Sequence, residues 1–295
     1  MEPLKILITG STGQVGYELV RDLAVFGEIL APTRAQLDLA DEKAVDAYLE
    51  EHKPSLIVNP AAWTSVDNAE QEVQAAKRLN AELPKQLARY ASENDAWLIH
   101  YSTDYVYPGD GDTPWVENDT PGPLSVYGET KLKGDVAVQQ HCDKHLIFRT
   151  SWVYSYRGNN FLKTMLRLGQ ERKELKIVDD QVGVPTPAIL ISHVTMLFIY
   201  RLINSLNFEP GIYHLSPRGE TTWYSFAKEI FSEAKLQGFE LMIQDVRGIS
   251  TSQYPTEATR PLNSRLSTKK LERTMGFMIP DWQTFLPLTI KNIKQ

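Results

Sequence analysis

The chain has 295 residues, of which 42% are hydrophobic and 23% charged, with a net charge of −6 and a pI of about 5.6. These values are ordinary for a folded globular protein, and the length suits one large α/β unit or a cofactor domain with a smaller partner. An acidic chain has no long-range attraction for nucleic acid or an anionic membrane, so we expect neither as a partner. A single cysteine, Cys142, excludes an intrachain disulfide and favours a soluble protein of the reducing cytoplasm.

No segment predicts a leader or a membrane span. The first residues lack the basic start, long apolar run and small-residue cleavage site of a signal peptide. The longest apolar stretch, residues 191–200, contains polar side chains and is too short to span a bilayer.

Strand-like and helix-like segments alternate through the first half of the chain. Apolar runs predict strands at 4–8, 28–30, 55–59, 96–101 and 145–149, and apolar spacing predicts helices at about 15–23, 41–52, 66–94 and 125–140. Continuous apolar strands between helices are typical of a parallel sheet covered on both faces. The predicted fold class is therefore α/β, with a Rossmann doubly wound parallel sheet.

The pattern loosens after Thr150, which indicates a smaller C-terminal α/β lobe that closes over the sheet and holds the substrate. We expect a loop at 179–187, a helix at 188–204, a strand at 211–216, a helix at 223–236 and irregular chain at 254–267. The predicted Rossmann domain covers residues 1–150 plus about 186–206, and the substrate lobe covers residues 151–185 and 207–295.

Three glycines follow the first predicted strand where the first helix begins. The segment Gly10–Gly16 has the spacing G-x-x-G-x-x-G. Glycines there permit a tight turn, close approach of a pyrophosphate and close packing of helix on strand. At this strand-to-helix junction the segment predicts a dinucleotide site. The expected contacts are Gly10, Gly13, Gln14, Val15 and Gly16.

The end of the second strand bears on which dinucleotide binds. Sites for the ribose 2′-hydroxyl of NADH usually have an acidic residue there. Residues 31–34 contain no acid, and the Arg34 guanidinium is able to contact a 2′-phosphate through two hydrogen bonds. We therefore expect NADPH, with NADH as the alternative, and we expect Asp38 and Leu39 near the adenine.

Candidate catalytic side chains follow the fourth strand and open the next helix. Ser102, Thr103 and Asp104 lie where ligands sit in a doubly wound sheet, at the carboxyl end of a strand. Tyr127 and Lys131 are four residues apart, so a helix places them on one face. A free tyrosine has a pKa near ~10, and a neighbouring cation is expected to lower it towards the working pH.

No metal site is predicted, because no histidine has a metal-ligating neighbour at a useful spacing. We interpret His52, His100, His141, His145, His193 and His214 as structural.

These segments resemble the extended short-chain dehydrogenase/reductase family over nearly the whole chain. The glycine turn and the segment 127–131 occur across that family, whereas segments 149–154 and 260–266 are more specific to one of its reductases. Further matches are 59–67, 102–107, 158–161 and 180–186. The resemblance implies NAD(P)H-dependent reduction of the C4 ketone of dTDP-4-dehydro-L-rhamnose to dTDP-L-rhamnose, by a homodimer. Whether lipopolysaccharide or another glycan receives the product stays open.

The resemblance also implies roles for single residues. Tyr127 would give a proton to the C4 oxygen, Lys131 would tune that tyrosine and hold the nicotinamide ribose, and Thr103 would hydrogen-bond the reacting oxygen. The remaining residues would line the ligands: Ala61, Ala62 and Thr64 the nicotinamide, and Val66, Asp104, Trp152, Asn160 and Arg260 the nucleotide sugar.

Three questions remain open at this point. Related 4,6-dehydratases have an acid directly after the Thr-Asp pair, and Tyr105 stands there, which favours reduction over elimination. Some relatives use a divalent ion at a subunit contact, for which Glu18 is a possible ligand without a clustered carboxylate partner. Alternative functions are another nucleotide-sugar reductase or epimerase, and a regulatory subunit that binds a dinucleotide without turnover. The complete set of Thr103, Tyr127 and Lys131 favours an enzyme.

Overall fold

The computed structural model describes residues 4–294, with only the backbone of Lys294. Residues 1–3, part of the segment that bears on the signal-peptide expectation, and residue 295 lie outside the described residues. The strands are β1 (Leu4–Ile8), β2 (Gly27–Leu30), β3 (Leu56–Asn59), β4 (Trp97–Thr103), β5 (His145–Thr150), β6 (Val153–Tyr154), β7 (Glu174–Val178), β8 (Val182–Gly183), β9 (Thr186–Pro187), β10 (Gly211–His214), β11 (Thr221–Thr222) and β12 (Asp245–Ile249).

The helices are α1 (Gln14–Leu23), α2 (Glu42–His52), α3 (Val66–Ala69), α4 (Val73–Lys77), α5 (Leu83–Glu93), α6 (Val126–His141), α7 (Phe161–Glu171), α8 (Ala188–Ile203), α9 (Trp223–Leu236), α10 (Lys269–Met275) and α11 (Leu286–Lys294). The helices of the first half lie at the predicted positions, although the predicted helix 66–94 is divided into α3, α4 and α5. In the second half, α7, α10 and α11 were not predicted. A π-helical turn, Arg78–Glu82, joins α4 to α5.

Six strands form one parallel sheet in the order β10–β5–β4–β3–β1–β2. The chain passes from β1 to β2 on one side and then returns to β3 on the other side of β1. The winding direction therefore reverses between β1 and β3, and at such a switch point the carboxyl ends of the strands open a crevice. The predicted α/β class with a doubly wound parallel sheet is confirmed.

Each face of the sheet has its own apolar core. Ile6 and Ile8 of β1 pack with α1 and α8, whereas Leu7 between them packs with α2 and α5. Successive side chains of a strand point to opposite faces, so a strand covered on both sides must be apolar at every position. Full burial of a leucine or isoleucine stabilises the fold by about 1.5–3 kcal/mol.

The last strand of the sheet comes from the second half of the chain. β10 pairs with β5, and its Tyr213 packs against Phe148 and Phe198. β10 lies within the segment 207–295 that the sequence analysis assigns to the substrate lobe. The four residues of β10 do not indicate which strand they pair with, because that choice depends on the free edge of β5 in the folded sheet.

A third apolar core lies outside the sheet. It joins α7, α9, α11 and the parallel pair of β7 and β12, around residues such as Leu162, Ile177, Phe226 and Ile230. The sequence analysis did not predict α7 or β7. No helix within residues 4–294 is long and apolar enough to cross a membrane.

Candidate active site

The turn between β1 and α1 is too tight for side chains at two of its glycines. Gly10 has a φ of +57°, and a Cβ there would lie 3.0 Å from the Ala61 Cα. A Cβ on Gly16 would lie 2.1 Å from the Gly10 carbonyl oxygen. α1 begins after Gly13 with no side-chain cap, and its first turn has no acidic residue. Its first backbone N–H groups therefore fit an anionic group such as a pyrophosphate.

The segment after β2 lies against this turn. The Ser11 hydroxyl donates to the carbonyl oxygens of Ala31 and Pro32, at 3.3 and 3.2 Å. Arg34 is exposed, and its guanidinium forms no ion pair with any residue in the part of the chain described. Asp38 is exposed and accepts a hydrogen bond from the Ala40 backbone N–H, while Leu39 is partly buried. Arg34 is thus accessible to a phosphate.

Buried polar side chains gather at the carboxyl ends of β4 and β5. The Thr103 hydroxyl donates to the Asp104 carboxylate at 3.1 Å, and both residues are buried. The Ser102 and Thr150 hydroxyls are also buried, and neither has a hydrogen-bond partner among the described residues. Hydroxyls at the carboxyl end of parallel strands lie where ligands bind in doubly wound sheets.

Burial raises the pKa of the Asp104 carboxyl to about 6, and the Ser264 and Thr103 hydroxyls oppose that rise. Perturbed carboxyls in a crevice are typical of functional sites.

Tyr127 and Lys131 lie on one face of α6, as the sequence predicts. The helix begins after Ser125, whose hydroxyl accepts a hydrogen bond from the Gly128 backbone. The prediction of a lowered tyrosine pKa is wrong for this structure: burial raises the pKa of Tyr127 above its ordinary value, against the opposing effect of the Thr103 hydroxyl. The Lys131 Nζ bonds to β4. The raised pKa of Tyr127 keeps its phenol protonated.

The Lys131 side chain is only 2% exposed and makes two polar contacts with β4. Its Nζ donates to the Tyr101 carbonyl oxygen at 2.6 Å and lies 3.5 Å from the His100 Nε2. Burial lowers the pKa of Lys131 to about 8, while the charge of Asp135, one turn further along α6, acts in the opposite direction.

Arg260 reaches the same crevice from the C-terminal segment. Its guanidinium donates to the Asp67 carboxylate at 2.6 Å and to the Tyr105 hydroxyl at 3.3 Å. The Tyr105 ring meets the Tyr127 ring edge to face, with 5.4 Å between the centroids. The sequence analysis named Arg260 but gave no role to Asp67, although Asp67 closes the matching segment 59–67.

Trp152 has a constrained backbone and a packed indole. Its φ is +47°, a left-handed conformation that costs a non-glycine residue of order 1–3 kcal/mol. The indole stacks on Trp223 at 3.6 Å, and a Cβ on Gly183 would lie 2.7 Å from it. The Trp223 Nε1 donates to Gln181, so the stack is held from both sides.

Two asparagines join parts of the site. Asn160 Nδ2 donates to the Gln14 side chain at 2.8 Å, and its Oδ1 caps α7, so this predicted sugar contact lies against the glycine turn. Asn80, in the π-helical turn, bonds the backbone of Trp63 and the Thr130 hydroxyl. Asn80 was not among the predicted site residues. The feature that marks it is the π-helical turn, which is frequent at functional sites but is visible only in the structure.

The remaining predicted contacts form the loop after β3. Ala61 is buried, Ala62 and Val66 are partly buried, and Thr64 is exposed. Glu18, the possible metal ligand, is buried beside Arg21 at 3.5 Å, and burial raises its pKa. Residues 4–294 contain no group of three histidine, cysteine or acidic residues placed to hold a metal, and metal independence stays a prediction.

Known proteins match the chain over nearly its whole length. The family model described as the RmlD substrate binding domain matches residues 4–295. A dTDP-4-dehydrorhamnose reductase of Shigella flexneri is 48% identical over 284 residues, which is 95% of each chain.

Two solved structures share the fold. A dTDP-4-dehydrorhamnose reductase of Clostridium acetobutylicum has a TM-score of 0.89 and 36% identity, covering 99% of this chain and 100% of that one. One from Bacillus anthracis, in complex with NADP, has a TM-score of 0.88 and 34% identity, covering 98% and 99%.

Proposed function

This chain belongs to the family of the RmlD substrate binding domain, and we propose that it reduces the C4 ketone of dTDP-4-dehydro-L-rhamnose to dTDP-L-rhamnose. It is an NAD(P)H-dependent oxidoreductase of dTDP-rhamnose biosynthesis. The observation that carries the proposal is that Tyr127 and Lys131 of α6 both contact β4, Tyr127 through the Thr103 hydroxyl and Lys131 through the Tyr101 carbonyl.

Tyr127 acts as the general acid. When bound, the reduced nicotinamide supplies a hydride to the ketone carbon. Tyr127 holds its proton because its pKa is raised by burial, and it gives that proton to the C4 oxygen as negative charge develops there. When substrate binds, the Thr103 hydroxyl turns from Asp104 and donates its hydrogen bond to the same oxygen, which stabilises the developing charge. Lys131 presents its remaining N–H towards the ribose of the nicotinamide.

The cofactor is a nicotinamide dinucleotide, and we propose NADPH as the preferred form. The uncapped start of α1 suits the pyrophosphate, and Ala61, Ala62 and Thr64 line the nicotinamide side. Arg34 supports the preference, because its free and exposed guanidinium lies beside a turn with no acidic residue between 31 and 34. NADH remains the weaker alternative.

The nucleotide sugar binds between the sheet and the third core. We propose that Trp152 packs on it with a face of large area and low entropic cost. Arg260 is placed to neutralise phosphate charge, and Asp104 and Val66 contact the sugar side. The Asn160 contact is the weakest of these proposals, because both ends of its amide already bond protein atoms.

We further propose the two-lobe division of the chain, with β10 added to the Rossmann lobe. Support comes from separate apolar cores on the sheet and around α7 and α9. The homodimer and the cytoplasmic location stay predictions.

The test is the loss of nicotinamide absorbance when dTDP-4-dehydro-L-rhamnose is generated in place by upstream enzymes. We expect turnover by the wild type and a fall of kcat by about 10²-fold or more in Tyr127→Phe, which lacks the proton donor. Unchanged dinucleotide affinity in the variant is the control for folding. Dinucleotide binding without turnover would instead favour another nucleotide sugar or the regulatory-subunit alternative.

A further inference from the structure

A buried chain of hydrogen bonds runs from the glycine turn to Lys131, and the catalytic scheme does not use it. Thr9 follows β1 directly, Asn59 ends β3, and His100 lies in the middle of β4, where it pairs with Asn59. All three are at most 1% exposed. The Thr9 hydroxyl and Asn59 Oδ1 are 2.6 Å apart, Asn59 Nδ2 and His100 Nδ1 are 3.0 Å apart, and His100 Nε2 is 3.5 Å from Lys131 Nζ.

The direction of these bonds is set at their first member. The Ala61 backbone N–H, which can only donate, points at the Thr9 oxygen at 3.3 Å. The single Thr9 hydrogen then goes to Asn59 Oδ1, which leaves the Asn59 amide to donate to His100 Nδ1. The opposite orientation would aim two donors at Thr9 and leave the Thr9 hydrogen without an acceptor.

His100 therefore carries its proton on Nε2, facing Lys131. Burial lowers the pKa of His100 well below its ordinary value, and the Lys131 charge adds to that effect, so the ring is neutral. A neutral imidazole that accepts at Nδ1 is a donor at Nε2. An ammonium at Lys131 would meet this N–H as a second donor, whereas an amine would accept its hydrogen.

We propose that His100 is a positioning residue that stabilises the amine form of Lys131, with its direction of donation imposed by Thr9 and Asn59. The ionisable groups that interact with Lys131 are His100 from β4 and Asp135 from its own helix, and Tyr127 lies one turn earlier on the same helix face. The Tyr101 carbonyl accepts a hydrogen bond from either form of Lys131. Asp135 favours the ammonium, so His100 acts against it.

This arrangement would help to reprotonate Tyr127 after each turnover. After Tyr127 gives its proton to the ketone oxygen, the ammonium form of Lys131 gives a proton to the phenolate and becomes the amine that His100 stabilises. A second proton, taken from solvent, then restores the ammonium. A lysine with a pKa near the working pH exchanges protons in both directions most readily. The inference rests on the proposed function for this use, but the pKa of Lys131 can be measured without substrate.

The experiment is a pH titration of the whole protein, without ligands, by NMR of lysine labelled with ¹³C at Cε. The Lys131 signal is assigned by its absence in Lys131→Arg. In His100→Asn the amide retains a polar atom near Asn59 but none near Lys131, so we expect the Lys131 pKa to rise by about one unit, the worth of one hydrogen bond. His100→Gln, which replaces the Nε2 donor with an amide N–H, should leave the pKa near its wild-type value.

A second pair of variants acts two bonds away from Lys131. Thr9→Val removes the hydroxyl that directs Asn59, so Asn59 can turn and His100 can offer a lone pair to the ammonium. The Lys131 pKa should again rise, whereas Thr9→Ser should leave it unchanged. With substrate, the kcat pH profile of His100→Asn should move upward by the same amount as the titration.

Two outcomes would overturn the proposal. An unchanged or lowered Lys131 pKa in the folded variants His100→Asn or Thr9→Val means that no donor faces the lysine. An equal rise in His100→Gln and Thr9→Ser means that packing, rather than direction of donation, sets the pKa. Absence of turnover in the wild type would refute the proposed function and leave the titration readable.

Discussion

At the glycine end of the crevice, binding depends on backbone shape and exposed side chains, whereas at the Tyr127 end it depends on buried polar groups. Gly10 and Gly16 leave no space for a Cβ, and Arg34, three residues after the Ala31 carbonyl that bonds Ser11, is exposed to solvent. Thr103 and Lys131 are at most 5% exposed, and burial shifts the pKa of Lys131. Changes at the first end should therefore alter affinity, and changes at the second should alter rate and pH dependence.

The largest expected effect is at Thr103. Thr103→Val keeps the shape of the side chain but removes the donor to the reacting oxygen, so kcat should fall by about 10²- to 10³-fold. Thr103→Ser keeps the hydroxyl and should retain most activity. Steady-state kinetics with a separate measurement of NADPH affinity checks this. If Thr103→Val instead weakened NADPH binding and left kcat unchanged, the Tyr127 end of the crevice would not differ from the glycine end in the way proposed.

Asp104 gives the next largest effect, and it concerns stability rather than rate. Its pKa is about 6 in the fold, above the ordinary value of 3.8, so between these pH values the folded state holds a proton that the unfolded state has lost. Stability contributed by that proton is complete below about pH 4 and lost as the pH rises through about 6. Asp104→Asn removes the penalty and should be more stable near neutral pH by up to about 3 kcal/mol.

Denaturant unfolding at several pH values measures this difference. The gain of Asp104→Asn over the wild type should shrink as the pH falls through about 6 and vanish below 3.8, where the aspartate becomes protonated in both states. A gain that is the same at every pH would mean that the amide packs better, with no contribution from ionisation.

The smallest expected effect is on dinucleotide affinity, at Arg34. Arg34→Ala should weaken NADPH by about three- to tenfold, since a charged contact in solvent is worth little more than 1 kcal/mol. NADH affinity should not change, and kcat at saturating NADPH should stay constant. Titration of both dinucleotides by fluorescence checks this, with Arg34→Lys as a control that keeps charge without the bidentate geometry. Equal weakening of both dinucleotides would remove Arg34 from the 2′-phosphate site.

The strands of the sheet could be predicted from sequence because their signal is local. Residues 56–58 are consecutively apolar, and the strand there follows a helix that ends at a left-handed Lys53. The glycine turn and the Tyr127–Lys131 pair were visible for the same reason, since both depend on spacing within one element.

The rest of the site depends on contacts between distant parts of the chain. Arg260 and Asp67 are 193 residues apart, and only the folded chain brings them beside Tyr105. The interpretation of His100 as structural came from its lack of metal-ligating neighbours, a test that does not detect a hydrogen-bond partner from another strand. The direction of the Tyr127 pKa was likewise hidden, because burial is a property of the whole fold.

The left-handed backbone at Trp152 has a consequence for attempts to make this protein more stable. Glycine accepts that conformation at no steric cost, so it is the obvious replacement at such a position. Here the replacement would also remove the indole that stacks on Trp223. Loss of a packed tryptophan typically costs about 3–5 kcal/mol, whereas the strain costs about 1–3 kcal/mol. A selection for heat resistance should therefore retain the strained tryptophan.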